Sequence, residues 1–328
     1  DWSSDVCSSD LVKKTNGVGP EVQARKVERS GLLGAGVMGG GIAWAFANKD
    51  IPVRMKDIKQ ESVNLGYQQA AENFGYALKK KKLTKNQFLG KMGMISGTLD
   101  YSGFRNVDVV VEAVVENMDV KKKVLAETEN YISDSCVYAS NTSSLSITEM
   151  ASAAKRPENV GGLHFFNPVS RMPLVEVIAG QKTSKETVAT LFELAKKLGK
   201  TPIVVKDGPG FLVNRLLLPY MNEAMFLFEE GVSVERIDRV MKDFGMPMGP
   251  MRLVDEVGID VGAKVAKILH QAFGARAQAS PLSEVIAASG RLGKKNGKGF
   301  YLYENGKEVG IDETILEVVK NQIGRAHV

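Results

Sequence analysis

Three glycines spaced G-x-G-x-x-G, Gly34, Gly36 and Gly39, restrict what this chain can fold into more than any other feature of it. A turn of that spacing belongs between a buried strand and the helix that follows. The first glycine allows the tight turn, the second lets another group approach the backbone, and the third lets helix close on strand. The neighbouring sequence agrees. Strand-like runs lie near residues 27–33, 52–57, 107–115, 136–139, 160–164, 174–178 and 202–205, the first of them interrupted by Glu28 and Arg29. Helical patterns fall between them, clearest at 37–47, 120–131 and 185–198. The run from Val107 to Val115 is apolar without strict alternation, as a strand buried on both faces is. Strands alternating with helices predict an α/β fold: a parallel, doubly wound Rossmann-type sheet.

After Asp207-Gly208-Pro209-Gly210 the strand pattern stops, and residues 211–230, 234–244 and 261–273 read as helices. The boundary is therefore expected near residue 208, with the sheet domain over 26–208 and an all-helical domain over 209–303. Residues 12–25 are polar and without period, a linker. The two ends are set apart from both. Asp5 to Asp10 can be written GAC GTG TGC TCT TCC GAT, whose reverse complement translates as the closing Ile-Gly-Arg-Ala-His-Val. One DNA segment read in both directions resembles adapter sequence, so 1–25 is expected to be a non-native end plus linker. Residues 304–328 are read as the start of a following segment, with a helix at 313–321, plus a second non-native end.

Setting the ends aside leaves Cys136, His164 and His270 as the only native residues of their types. One cysteine cannot build a disulfide framework or a thiolate metal cage, and it fits a reducing, cytoplasmic setting. No metal is expected. No apolar run reaches membrane-spanning length. The formal net charge of +5 suits a phosphate-bearing ligand, and no nucleic-acid recognition motif accompanies it.

The glycine turn opens the helix beginning at Val37 and Met38, whose free N–H groups and dipole favour a pyrophosphate. Asp57 ends the next strand-like run, where an acid can accept from both ribose hydroxyls and repel a 2′-phosphate. NAD is favoured over NADP, although Arg54, Lys56 and Lys59 stand nearby and weaken that preference. Oxidation of an alcohol also needs a base for the hydroxyl proton. His270 sits in a helical stretch and reads as an ordinary helix residue. His164 ends an apolar strand and precedes a turn at the sheet edge where open α/β sheets bind ligands. A structural histidine fits that position equally well. Glu176, twelve residues on, would fix its tautomer if the two meet.

Ordered segments carry a family resemblance: Ser140-Asn141-Thr142-Ser143-Ser144-Leu145, Gly162-Leu163-His164-Phe165-Phe166-Asn167-Pro168, Leu174-Val175-Glu176-Val177-Ile178 and Asp207-Gly208-Pro209-Gly210-Phe211-Leu212-Val213-Asn214-Arg215. With Pro247-Met248-Gly249-Pro250 and Gly297-Lys298-Gly299-Phe300-Tyr301, they resemble the signatures of L-3-hydroxyacyl-CoA dehydrogenases over residues 26–303. The resemblance implies oxidation of an L-3-hydroxyacyl-CoA by NAD, with His164 as base, Glu176 as its partner, and Ser143 and Asn214 on the reacting oxygen. It places Glu116, Lys121, Ser143, Asn167 and Lys295 along the cofactor, with Val114 and Val115 beside it. The second domain becomes a substrate and dimerisation domain, and Lys79 and Lys82 become partners for coenzyme A phosphates. Each has a plainer reading: Ser and Thr at 142–144 can cap a helix, Asn214 can serve its local backbone, and the lysine run can be a solvated helix end.

The segments 38–43 and 51–58 further resemble the multifunctional branch, the alpha subunits of fatty-acid oxidation complexes. That implies a β-oxidation enzyme fragment whose parent works beside a thiolase subunit. Without its second helical domain, the fragment is expected to form a homodimer. The rival readings are a dehydrogenase of a free hydroxy acid and an NAD-binding module without activity.

Overall fold

The computed structural model describes residues 17–319. Its strands are short and apolar: β1 (Ser30–Leu33), β2 (Val53–Lys56), β3 (Ile95–Thr98), β4 (Val109–Glu112), β5 (Val137–Ser140), β6 (Val160–Phe165), β7 (Leu174–Ala179) and β8 (Thr201–Lys206). They form one sheet in the order β3-β2-β1-β4-β5-β6-β7-β8. Every residue of β1, β4, β5 and β6 is buried, as strands covered on both faces must be. Helices α1 (Val37–Asn48), α2 (Gln60–Lys79), α3 (Lys85–Gly93), α4 (Met118–Thr128), α5 (Ile147–Ala151) and α6 (Lys185–Lys197) connect them. Chain direction reverses once, between β6 and β7, and every other pairing is parallel. The eight residues that link β6 to β7 hold no helix, and so short a link can join only antiparallel neighbours. The sheet expected to be parallel thus carries one antiparallel pairing.

Two compact units divide between Phe211 and Leu212. The second contains α7 (Val213–Glu229), α8 (Val234–Phe244), α9 (Pro250–Val257), α10 (Ile259–Phe273) and α11 (Leu282–Ala288). Its core joins Phe228, Met251, Ile259, Ile286 and Phe300. It also carries an antiparallel hairpin, β9 (Tyr301–Glu304) and β10 (Lys307–Ile311), turning through Asn305 and Gly306 at positive φ. Residues 304–319 therefore do not lead away: Ile315 and Val319 are buried in the same core, and residues 315–319 are helical. Two buried acids hold the hairpin to the helices. Asp255 accepts from Phe300 N and Tyr301 N, each at 2.9 Å, and Asp238 accepts from Tyr301 Oη at 2.7 Å. Burial pushes the Asp255 carboxyl up to about 6 against those donors.

Strand β3 was not expected. It lies at the sheet edge, only Ile95 of it is buried, and Ser96 and Gly97 dilute its apolar signal. The expected linker ends within the first unit, since Arg25 bonds Ser135 O, Asn159 and Glu186. The adapter-like ends and the close of the helix expected at 313–321 lie outside the described residues.

Candidate active site

The ends of β1, β2, β4, β5 and β6 converge on three groups of side chains. At the end of β1 the chain turns through Gly34, at φ +91°, and a Cβ there would stand 2.5 Å from Ala113 O. At Gly39 a Cβ would stand 2.0 Å from Gly34 O, so no side chain fits either position. Gly36 differs: no atom comes within 4 Å of where its Cβ would be. That open space faces the start of α1, where Gly36 is the N-cap and no side chain caps the helix. Uncapped N–H groups beside open space suit a pyrophosphate, which is the fit NAD requires. Asp57 Oδ2 accepts from Ala35 N at 2.8 Å, and Oδ1 accepts from Ile58 N at 2.7 Å, so its carboxylate stands beside the glycine turn.

The second group lies beyond β4 and β5. Glu112, fully buried at the end of β4, accepts from Lys121 Nζ, Val114 N and Ser140 Oγ, each at 2.7 Å. Lys121 is also buried, and its ammonium reaches Glu116 at 3.5 Å. Glu116 gathers the following loop through one oxygen, accepting from Thr142 Oγ1 at 2.7 Å and from Ser143 N and Oγ at 3.0 and 3.2 Å. Burial pushes the Glu116 carboxyl up, but Lys121 and these donors together outweigh it and hold it below the usual range. Val114 and Val115 precede Glu116, with Val115 exposed.

The third group is the pair at the chain reversal. Antiparallel register sets His164 directly opposite Glu176, and Nδ1 lies 2.8 Å from Glu176 Oε2. His164 is 6% exposed and Glu176 not at all. The rings of Phe166 and Phe211 stand 4.5 and 6.0 Å from the imidazole. Asn141 Oδ1 accepts from Phe165 N at 2.8 Å, tying the loop after β5 to the end of β6. Asp207 accepts from Ser146 Oγ and from Ile147 and Thr148 N, and so holds the start of α5.

Glu112, Asn141 and Asp207 had no role in the sequence reading. Glu112 carried a signal, an acid inside the apolar run 107–115, which needs a buried partner. The helix cap expected from Thr142–Ser144 is made by Ser146, which accepts from Glu149 N. Asn167 is exposed in the turn after β6. Lys79 closes α2 and Lys82 follows it, both exposed on the turn to α3. Asn214, in the first turn of α7, and Lys295, bonded to Asp260 at 2.9 Å, lie in the second unit. His270 is exposed on α10. Burial pushes the Cys136 thiol up to about 12, as for a core residue. Among the described residues no cluster of acids, histidines and cysteines could hold a metal, and no helix is long and apolar enough to cross a membrane.

The family described as 3-hydroxyacyl-CoA dehydrogenase, NAD binding domain, matches residues 29–208, and its C-terminal domain matches residues 210–303. Curated relatives include the fatty acid oxidation complex subunit alpha of Pseudomonas syringae pv. tomato, 49% identical over 95% of this chain and 44% of its own length. That of Pseudomonas putida is 50% identical over 90% of this chain and 42% of its own. The chain thus spans less than half the length of these relatives. Among solved structures, (S)-3-hydroxybutyryl-CoA dehydrogenase from Ralstonia eutropha is 40% identical, with a TM-score of 0.82 over 85% of this chain and 100% of that one. 3-Hydroxybutyryl-CoA dehydrogenase from Escherichia coli is 35% identical, with a TM-score of 0.81 over 88% of this chain and 62% of that one.

Proposed function

Because the chain belongs to the 3-hydroxyacyl-CoA dehydrogenase family, we propose that it oxidises L-3-hydroxyacyl-CoA to 3-ketoacyl-CoA with NAD, and that His164 is its general base. The observation that carries this reading is the buried His164–Glu176 pair, 2.8 Å apart and set by strand register. With Glu176 holding the proton on Nδ1, Nε2 keeps its lone pair and takes the proton of the substrate hydroxyl. The imidazolium so formed is stabilised by the same carboxylate. NAD, when bound, supplies the acceptor for the hydride. The glycine turn and the start of α1 hold its pyrophosphate, Asp57 its adenosine ribose, and Val114, Val115, Glu116, Lys121, Asn167 and Lys295 the rest of its length.

Ser143 and Asn214 hydrogen-bond the reacting oxygen. The Ser143 hydroxyl donates to Glu116, and Glu116 keeps its Thr142 donor when Ser143 turns to the substrate. Lys79 and Lys82 meet the phosphates of coenzyme A. Purified chain should therefore reduce NAD with L-3-hydroxybutyryl-CoA and not with free 3-hydroxybutyrate. Turnover of the free acid alone would favour a hydroxy-acid dehydrogenase, and turnover of neither would favour a binding module.

The whole protein is proposed to be a multifunctional enzyme of cytoplasmic β-oxidation that works beside a thiolase subunit, because a thiolase consumes the 3-ketoacyl-CoA made here. The chain by itself should form a homodimer through its second unit. There Leu216, Val240 and Phe244 are 61%, 54% and 80% exposed, apolar side chains that a second copy would cover. Light scattering at rising concentration should give twice the monomer mass. A constant monomer mass would contradict it.

A further inference from the structure

We propose that Tyr101 determines cofactor specificity: its ring holds the Lys56 ammonium on the face of the sheet opposite Asp57 and so denies a 2′-phosphate its cation. The inference rests on the reading of Asp57 as the ribose partner. Side chains alternate along a strand. In β2, Val53 and Met55 are buried in the core that contains Ile42 and Phe46. Arg54 and Lys56 point the other way, where Tyr101 and Phe104 belong to a separate core. Lys56 Nζ lies 4.4 Å from the centroid of the Tyr101 ring, a cation–π contact. That ring is itself fixed. It stacks on Tyr131 at 4.4 Å with 3° between the planes, meets Phe104 edge-on at 5.5 Å, and shares a 3.2 Å hydrogen bond with Thr128.

Arg54 is committed on the same face, donating to Ser102 O at 2.7 Å and Gly97 O at 3.3 Å. Asp57, the next residue after Lys56, returns to the first face, where its carboxylate meets the glycine turn. Two of the three cations that flank Asp57 in sequence are therefore held away from it, and Lys59 is the third. The Asp57 carboxylate repels a 2′-phosphate while the cation that would offset it is held elsewhere. Loss of the acid alone leaves the site without Lys56, and loss of the ring alone leaves it with the acid.

The test is calorimetric binding of ADP-ribose and of its 2′-phosphorylated analogue to the full chain. Asp57→Ala should narrow the preference for ADP-ribose. Adding Tyr101→Leu should narrow it about tenfold more, the order of one charge-assisted hydrogen bond. Adding Lys56→Gln should then erase that second gain. Tyr101→Phe, which keeps the ring, should behave as wild type at this step. Tyr101→Met supplies volume without a ring face, so the comparison survives if the leucine variant does not fold. A narrowing by Asp57→Ala with no further change from Tyr101→Leu or Tyr101→Met would overturn the inference alone. No change from Asp57→Ala would overturn the ribose reading and the inference with it.

Discussion

His164→Ala should lower kcat for L-3-hydroxybutyryl-CoA by about 10²–10⁴-fold, the usual contribution of a positioned general base. Affinity for ADP-ribose should hardly change, because the pyrophosphate and ribose contacts are proposed to belong to the glycine turn, α1 and Asp57 rather than to β6. The substitution removes a nearly buried ring that stands near those of Phe166 and Phe211, so some loss of stability is expected too. His164→Asn or His164→Gln, each closer in volume, should lose activity to the same degree. His270→Ala should leave activity intact, since that histidine is exposed on a helix of the second unit. Steady-state NADH formation beside a thermal melt separates the two effects. A His164→Ala variant that folds and keeps wild-type kcat would remove the base from the mechanism.

Glu112→Ala should cost the first unit about 3–5 kcal/mol, the order found when one member of a buried ion pair is removed. It would leave the Lys121 ammonium, 1% exposed, without its 2.7 Å partner, and would also strip acceptors from Val114 N and Ser140 Oγ. Adding Lys121→Met should recover much of that loss, because the buried ammonium, left with only the longer Glu116 contact, goes with it. NAD affinity should not recover, since Lys121 and the Glu116 loop it steadies are proposed to line the cofactor. A chemical unfolding midpoint for each variant, read together with NAD binding, checks both statements. Equal midpoints for wild type and Glu112→Ala would mean that the pair contributes no net stability.

How much of this was legible beforehand depended on whether the information was local. The glycine turn, the long apolar run over 107–115 and the helix over 234–244 all carry their structure in their own residues. Strand β1 was blurred by Glu28 and Arg29, and only Ser30–Leu33 is strand. Strand β3 depends on pairing with β2, and half exposed at the edge it has too few apolar positions to stand out. The hairpin of β9 and β10 did have a local signal, the Asn305-Gly306 turn between strand-forming runs. The polar residues beyond Tyr303 mask it. Its apolar contacts come from Phe300, Tyr301, Ile315 and Val319, which lie on either side of that stretch.

The site divides along the same line. His164 is one of three histidines in the chain, and its position at a strand end is readable. That Glu176 faces it follows only from the family resemblance and not from local pattern, because twelve residues of separation become contact only through the antiparallel register of β6 and β7. Glu112, Asn141 and Asp207 act by holding other residues in place, and such roles exist only in three dimensions.

The central claim is that His164 and Glu176 act as one unit, and a double-mutant cycle in kcat tests it most directly. His164→Ala, Glu176→Gln and the double variant would be compared for NAD reduction by L-3-hydroxybutyryl-CoA. Once the imidazole is gone the carboxamide has nothing to orient, so the double variant should be no slower than His164→Ala alone. A double variant slower by the product of the two single losses would mean that the residues contribute independently, and the account of Glu176 as the partner of His164 would be wrong.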